Sequence, residues 1–142
     1  MKKLFILTLL GLTVLGLFSG CSSGVERIGL QVQLVKLDKK ANGSLLASLL
    51  LSNPNVSSVN VAKSTHQLTL NGRSAGILEV TEPVGIPAQQ TTTITVSFTP
   101  VSGTADVSGP VSYQLASQLT LRIYDDDTER YKTSSSGTVT VQ

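Results

Sequence analysis

The sequence predicts an all-β domain, built as an antiparallel sandwich of about seven short strands. Three observations carry this expectation. Of 142 residues, 40% are hydrophobic but only 4% aromatic, with no Trp. Val, Thr, Ser and Leu therefore carry the pattern, a mix suited to pleated, half-buried surfaces rather than to disorder. Apolar residues recur at every second position in several segments, the period of a strand with one buried face. Those segments are separated by Asn-Gly, Pro and Gly at short intervals, as in sandwiches. The length suits one domain.

The first segment is set apart from the domain. "MKKLFILTLLGLTVLGLFSGCSS" has Lys2 and Lys3 at its head, an uncharged run of 15 residues from Leu4 to Phe18, then Ser19, Gly20 and Cys21. This is the three-part layout of an export signal. A spanning helix needs about 20 apolar residues, so the run reads as a cleaved signal over residues 1–20. Residues 21–27 read as the processed terminus and a short polar tether, and residues 28–142 as the domain.

The first strand lies in "IGLQVQLVKL", where Ile28, Leu30, Val32 and Leu34 share one face. Val35 and Leu37 switch parity, which marks a bulge or the strand's end. Asn42-Gly43 turns the chain. "SLLASLLLSNPNV" also fits a short helix, but its length and its flanking turns favour a strand buried on both faces. Pro54 cannot sit in a regular ladder and pushes Asn53 away from the α region. Asn53 and Asn55 can bond nearby backbone through their side chains. The triplet thus reads as a corner that ends or bends a strand.

The strand ending in Leu68 and Leu70 is followed by Asn71-Gly72, the pair best suited to a two-residue type I′ turn, and a second strand returns through Ile77. Gly76 marks a bulge or a close backbone approach. "TEPVGIPAQQ" reads as a connection. "TTTITVSFTPV" alternates, with Ile94, Val96 and Phe98 inward, and Pro100 ends it. "VSYQLASQLTLRIY" places Val111, Tyr113 and Leu115 on one face, then Leu119, Leu121 and Ile123. "DDDTER" reads as a turn and "GTVTVQ" as the last strand.

Charge excludes some functions. The chain has 11 Lys and Arg against 9 Asp and Glu. Removing Lys2 and Lys3 balances them, and a nucleic-acid surface needs clustered positive charge. Only Lys36, Lys39 and Lys40 cluster, around Asp38, as a solvated loop would. The sole histidine, His66, lies inside a strand without a Cys or acidic partner, so it makes a poor metal site and a poor base. Asp125, Asp126, Asp127 and Glu129 lack the spacing and glycine of a calcium loop and read as a polar turn. No catalytic residue, metal site or soluble cofactor is predicted.

Two resemblances add to this. "FSGC" is similar to the lipobox of bacterial lipoproteins, although Phe18 stands where Leu is usual. The resemblance implies a covalent diacylglyceryl group on Cys21, cleavage before it, and an N-acyl chain on the new amine. More than one chain makes anchoring stable. The plainer alternative is a secretory signal with a stray thiol, the only cysteine of the chain. Ser22, in place of the Asp that retains enteric lipoproteins in the inner membrane, implies the outer membrane, facing the periplasm.

The ordered set "NPNVSSVNV", "HQLTLNGRSAG", "GIPAQQTTTITVSF", "VSYQLASQLTL" and "GTVTV" resembles the late embryogenesis abundant (LEA) type 2 family, or WHy domain, over Ile28 to Gln142. The motif residues are Asn53, Pro54, Asn55, Asn71, Gly72, Ile86, Pro87 and Ala88. The resemblance implies a fibronectin III- or immunoglobulin-like sandwich, sometimes with one short helix. It implies no enzyme activity, and a role in desiccation and other stress. Two functions follow as expectations: a membrane-anchored protective domain that meets a protein client, or a module that holds lipid or another apolar ligand.

Overall fold

The structure is a computed structural model that describes residues 29–104, 106–124 and 126–142. The leader, Cys21 and the tether lie outside the described residues. Eight strands follow one another: β1 (Gln31–Lys39), β2 (Leu45–Asn53), β3 (Val59–Leu70), β4 (Arg73–Val80), β5 (Val84–Ile86), β6 (Gln90–Phe98), β7 (Gly109–Tyr124) and β8 (Asp127–Val141). No helix occurs among the described residues.

Local sequence explains much of this. In β1, Val32 and Leu34 are buried, Val35 is the extra residue of a bulge, and Leu37 returns to the core. The β1–β2 turn is closed by Asn42, whose Oδ1 accepts hydrogen bonds from Ser44 N at 3.1 Å and Ser44 Oγ at 2.6 Å. The β3–β4 hairpin turns on Asn71 and Gly72, with φ of 48° and 76°. These are the two positive angles a type I′ turn requires. Ala75 is the extra residue of a bulge beside Gly76, which faces Leu68.

The sheet order is β4-β3-β7-β8-β1-β2-β6, and β5 pairs with β3 beyond the end of β4. Two expectations are corrected here. The strands are mixed rather than wholly antiparallel, because β1 and β8 run parallel and pair at Leu37 and Val141. Two backbone bonds flank that pair, Lys39 N to Gln142 O at 2.7 Å and Gln142 N to Leu37 O at 3.0 Å. Through this link the strands form one curled sheet, a half-barrel, rather than two separate layers. Its two ends approach where Val101 N donates to Ala75 O at 2.8 Å. There a Cβ on Gly76 would stand 3.2 Å from the Phe98 ring. Gly76 thus serves as both bulge neighbour and close approach.

Inside the curl sits one core, including Leu37, Leu45, Leu49, Leu68, Leu78, Leu115, Leu119 and Leu121, all about fully buried. Each such leucine contributes roughly 1.5–3 kcal/mol relative to an exposed one.

Other expectations shift in detail. β2 alternates strictly: Leu45, Ala47, Leu49 and Leu51 are buried, while Leu46 and Leu50 on the other face are only half-buried. It is therefore not buried on both faces. The segment read as a connection contains β5. The last strand begins at Asp127, so only the tip of "DDDTER" turns. Ile123 is displaced from the inner face by a bulge between Arg122 and Tyr124.

Candidate functional site

The two fragments most telling in the sequence meet in space. β2 delivers Asn53 into the core at its last position, since it continues the buried parity of Leu49 and Leu51. Its Nδ2 donates to Ser57 O at 2.9 Å, Ile86 O at 3.1 Å and Pro87 O at 3.2 Å. Its Oδ1 accepts from Asn55 N at 3.0 Å and Asn55 Nδ2 at 2.9 Å. Gln89 N donates to Asn55 O at 3.0 Å, with Gln89 at φ 54°. One amide thus satisfies a buried corner where the β2–β3 and β5–β6 connections cross. Pro54 is exposed and Ala88 half-buried. The Asn53 amide is therefore fully engaged within the corner itself.

Asn71 does more than turn a hairpin. Its N donates to Ser112 O at 2.8 Å, and its Oδ1 accepts from Ser112 N at 3.0 Å and Ser112 Oγ at 3.2 Å. The turn is thereby tied to β7.

His66 is fully buried on the inner face of β3. Ser64 Oγ lies 2.8 Å from Nε2, and Ser117 Oγ of β7 lies 2.8 Å from Nδ1. A neutral imidazole fits this pair, donating from one nitrogen and accepting at the other. Burial pushes its pKa down from 6.5 to about 4. The trio has the residue types of nucleophilic catalysis, but a reacting serine must be reached by substrate. Ser64 and Ser117 are each about 4% exposed. Ser64 could have been anticipated, since it shares His66's face at a spacing of two. No local signal marks Ser117.

The remaining candidates stay apart. Among the described residues no three His, Cys, Asp or Glu side chains converge as a metal site would require. Lys36 pairs with Asp38 at 2.9 Å and Lys39 with Asp106 at 3.8 Å, all on the surface. No helix among the described residues is long and apolar enough to cross a membrane. A concavity of about 590 Å³ lies on the outer face across β4, β3, β7 and β8, lined by Thr65, Gln67, Ile77, Ala116, Gln118 and Lys132 among others. It is open to solvent, and although many of its side chains are polar, more of its exposed lining is apolar than polar, with Ile77 as the large apolar side chain.

Comparison with known proteins comes from structure. No known family's sequence profile matches the chain, and no curated protein matches it in sequence. An Arabidopsis thaliana protein, known from a solution structure, superposes with a TM-score of 0.59 at 20% identity, over 82% of this chain and 83% of that one. A crystal structure of an Archaeoglobus fulgidus protein gives 0.51 at 15% identity, over 80% and 98%. A solution structure described as a candidate late embryogenesis abundant protein gives 0.50 at 16% identity, over 80% and 71%. At these identities the likeness is one of fold: the chain shares the small β fold of an LEA-like protein.

Proposed function

We propose that this chain is a non-catalytic, membrane-anchored domain of LEA type 2 kind that protects protein clients during desiccation or related stress. The observation that carries the reading is the fold likeness to an LEA-like protein, together with a motif set spent on architecture. Asn53 and Asn55 are used up in the corner, and Asn71 in the tie to β7. His66, the residue most able to do chemistry, is sealed between two buried hydroxyls.

The anchor belongs to the same proposal. A lipidated Cys21 would hold the domain on the periplasmic side of the outer membrane, eight residues before Gly29. The lipid-carrier alternative draws less support, because the core leucines are closed to solvent and the concavity over Ile77 is open rather than enclosed. Partners in this reading are a membrane, through the acyl chains, and a protein client, with no nucleic acid.

The test is a drying assay. A desiccation-sensitive enzyme is dried and rehydrated with and without the purified protein, using serum albumin at equal mass as the control. Recovery above the albumin control supports protection, and recovery equal to it sinks the reading. Native mass spectrometry of the same preparation decides the alternative: a reproducible added mass matching a free lipid would favour the carrier.

A further inference from the structure

The curled sheet ends at β4 on one side and at β6 on the other. β4 is guarded. A bulge at Ala75 interrupts its ladder with β3, Val101 N bonds the Ala75 carbonyl, and Arg73 and Glu79 place a charge near each of its ends. Bulges, charges and covering loops are the devices with which natural sheets keep an edge from pairing. β6 has none of them. Its nine residues, QTTTITVSF, include no charge and no proline. Its ladder with β2 runs from Gln90 to Phe98 without a register shift. Among the described residues no strand pairs with its other side.

The core also thins toward that edge. Thr92, Ile94 and Val96 lie on the inner face of β6 but are only half-buried. Their partners on β2, which are Leu51, Leu49 and Ala47, are closed to solvent. An adjoining strand with branched apolar side chains at alternate positions would complete the cover. On the outer face Thr91, Thr93, Thr95 and Ser97 are all exposed.

We propose that β6 is a self-association edge: two copies of this chain pair through antiparallel β6 strands, from Thr91 to Ser97, about a two-fold axis at Ile94. The strand is complementary to itself. With Ile94 opposite its own copy, Thr92 meets Val96 of the second copy, Thr93 meets Thr95 and Thr91 meets Ser97. Inner side chains fall on inner side chains and hydroxyls on hydroxyls, pairings that favour antiparallel strands. No like charges face each other. Lys40 Nζ, which reaches Ser97 Oγ at 3.4 Å, stands at the end opposite to the second copy's Lys40. Phe98 lies outside the pairing, because there the two ends of the sheet already approach through Val101 and Ala75. A two-fold contact of this kind closes on itself, so both bare edges are used and no further chain adds to them. The second copy is thus the occupant that the strand's own sequence specifies. The inference stands apart from the protective reading and does not rest on it.

The full-length protein is tested in detergent, with light scattering for mass and cysteine bridging for geometry. Directly opposite residues of an antiparallel pair stand about 4.5–5.5 Å apart at Cα, within the span of a disulfide. Under mild oxidation Ile94→Cys should therefore give a bridge between positions 94 of two chains, identified by peptide mass spectrometry. Thr91→Cys, whose copy lies about 20 Å away along the strands, should give none. Absence of the bridge at 94 overturns the proposal.

The second arm changes charge on the exposed outer face, with thermal melting to confirm the fold. Thr93→Lys combined with Thr95→Lys sets like charges opposite across the two-fold and should weaken the dimer by about tenfold or more. Thr93→Lys combined with Thr95→Glu sets opposite charges there and should restore it. All variants share one detergent, so a mass that ignores these changes belongs to the micelle or the anchor and overturns the proposal. So does a chain that stays monomeric at every concentration, even if it takes up an added Thr-Val peptide along β6, which would make a client the occupant. Hydrogen exchange that slows on concentration over residues 73–80 rather than 91–97 would put the contact on β4, with the same consequence.

Discussion

Acidification from pH 7 to pH 5 should cost this fold about 2 kcal/mol through His66 alone. Burial holds the imidazole neutral, with a pKa lowered from 6.5 to about 4. Above pH 6.5 neither the folded nor the unfolded chain binds a proton there, so the histidine's contribution is fully present. As pH falls below 6.5 the unfolded chain takes up a proton that the fold refuses. Stability then drops by about 1.4 kcal/mol per unit until the folded group also titrates near pH 4. Over that window the loss totals about 3 kcal/mol, a large share of the roughly 5–15 kcal/mol that holds a small domain together. The assay is urea unfolding at pH 7, 6 and 5 for the wild type and His66→Leu. The variant starts less stable, because Ser64 and Ser117 lose a common partner, but its pH dependence lacks the histidine term. Subtracting the two series isolates that term. A wild-type minus variant difference that stays flat between pH 7 and pH 5 would refute the reasoning. So would an imidazole that titrates above pH 6 by NMR.

Other perturbations have equally definite outcomes. Asn53→Ala removes the amide from a corner where it meets five groups, and should cost about 3 kcal/mol by chemical denaturation; Asn53→Asp should cost more, as it turns an oxygen toward carbonyl oxygens. Gly76→Ala meets the Phe98 ring at 3.2 Å with φ at 153°. It should cost about 1–2 kcal/mol, and Phe98→Leu in the same chain should recover the steric part but not the backbone part. Cys21→Ser should abolish incorporation of labelled palmitate and release the protein from the membrane fraction, and retained label would refute the anchor.

The sequence disclosed what neighbouring residues decide. The Asn71-Gly72 turn, the bulge at Val35 and the alternation of β6 each rest on a few adjacent side chains, and each was legible. The parallel pairing of β1 with β8 was not, because nothing in "LVKL" or "TVTV" names a partner so distant in the chain. β8 was read short because its inner face over Tyr131, Thr133 and Ser135 is only half-buried, so polar residues stand where alternation would show. β5 was hidden between Pro83 and Pro87. At the candidate site, the importance of Asn53 could be read from its place beside Pro54. Its bonds to Ile86 and Pro87, across 33 and 34 positions, could not. His66 was placed correctly in a strand, but its second serine comes from β7 and only the fold supplies it.

The link between β1 and β8 also sets a kinetic order. Residues 37 and 141 meet only after the chain between them has been drawn into a closed loop, and that entropy is spent before any contact repays it. The β3–β4 hairpin, closed by two residues, can form within microseconds. Assembly of this sheet should therefore begin at Asn71-Gly72 and finish where the first strand meets the last. A chain caught before that final step would present both strand edges to its neighbours. Crowding and drying raise the chance of such encounters, so the slowest contact of the fold is also the one on which its solubility depends.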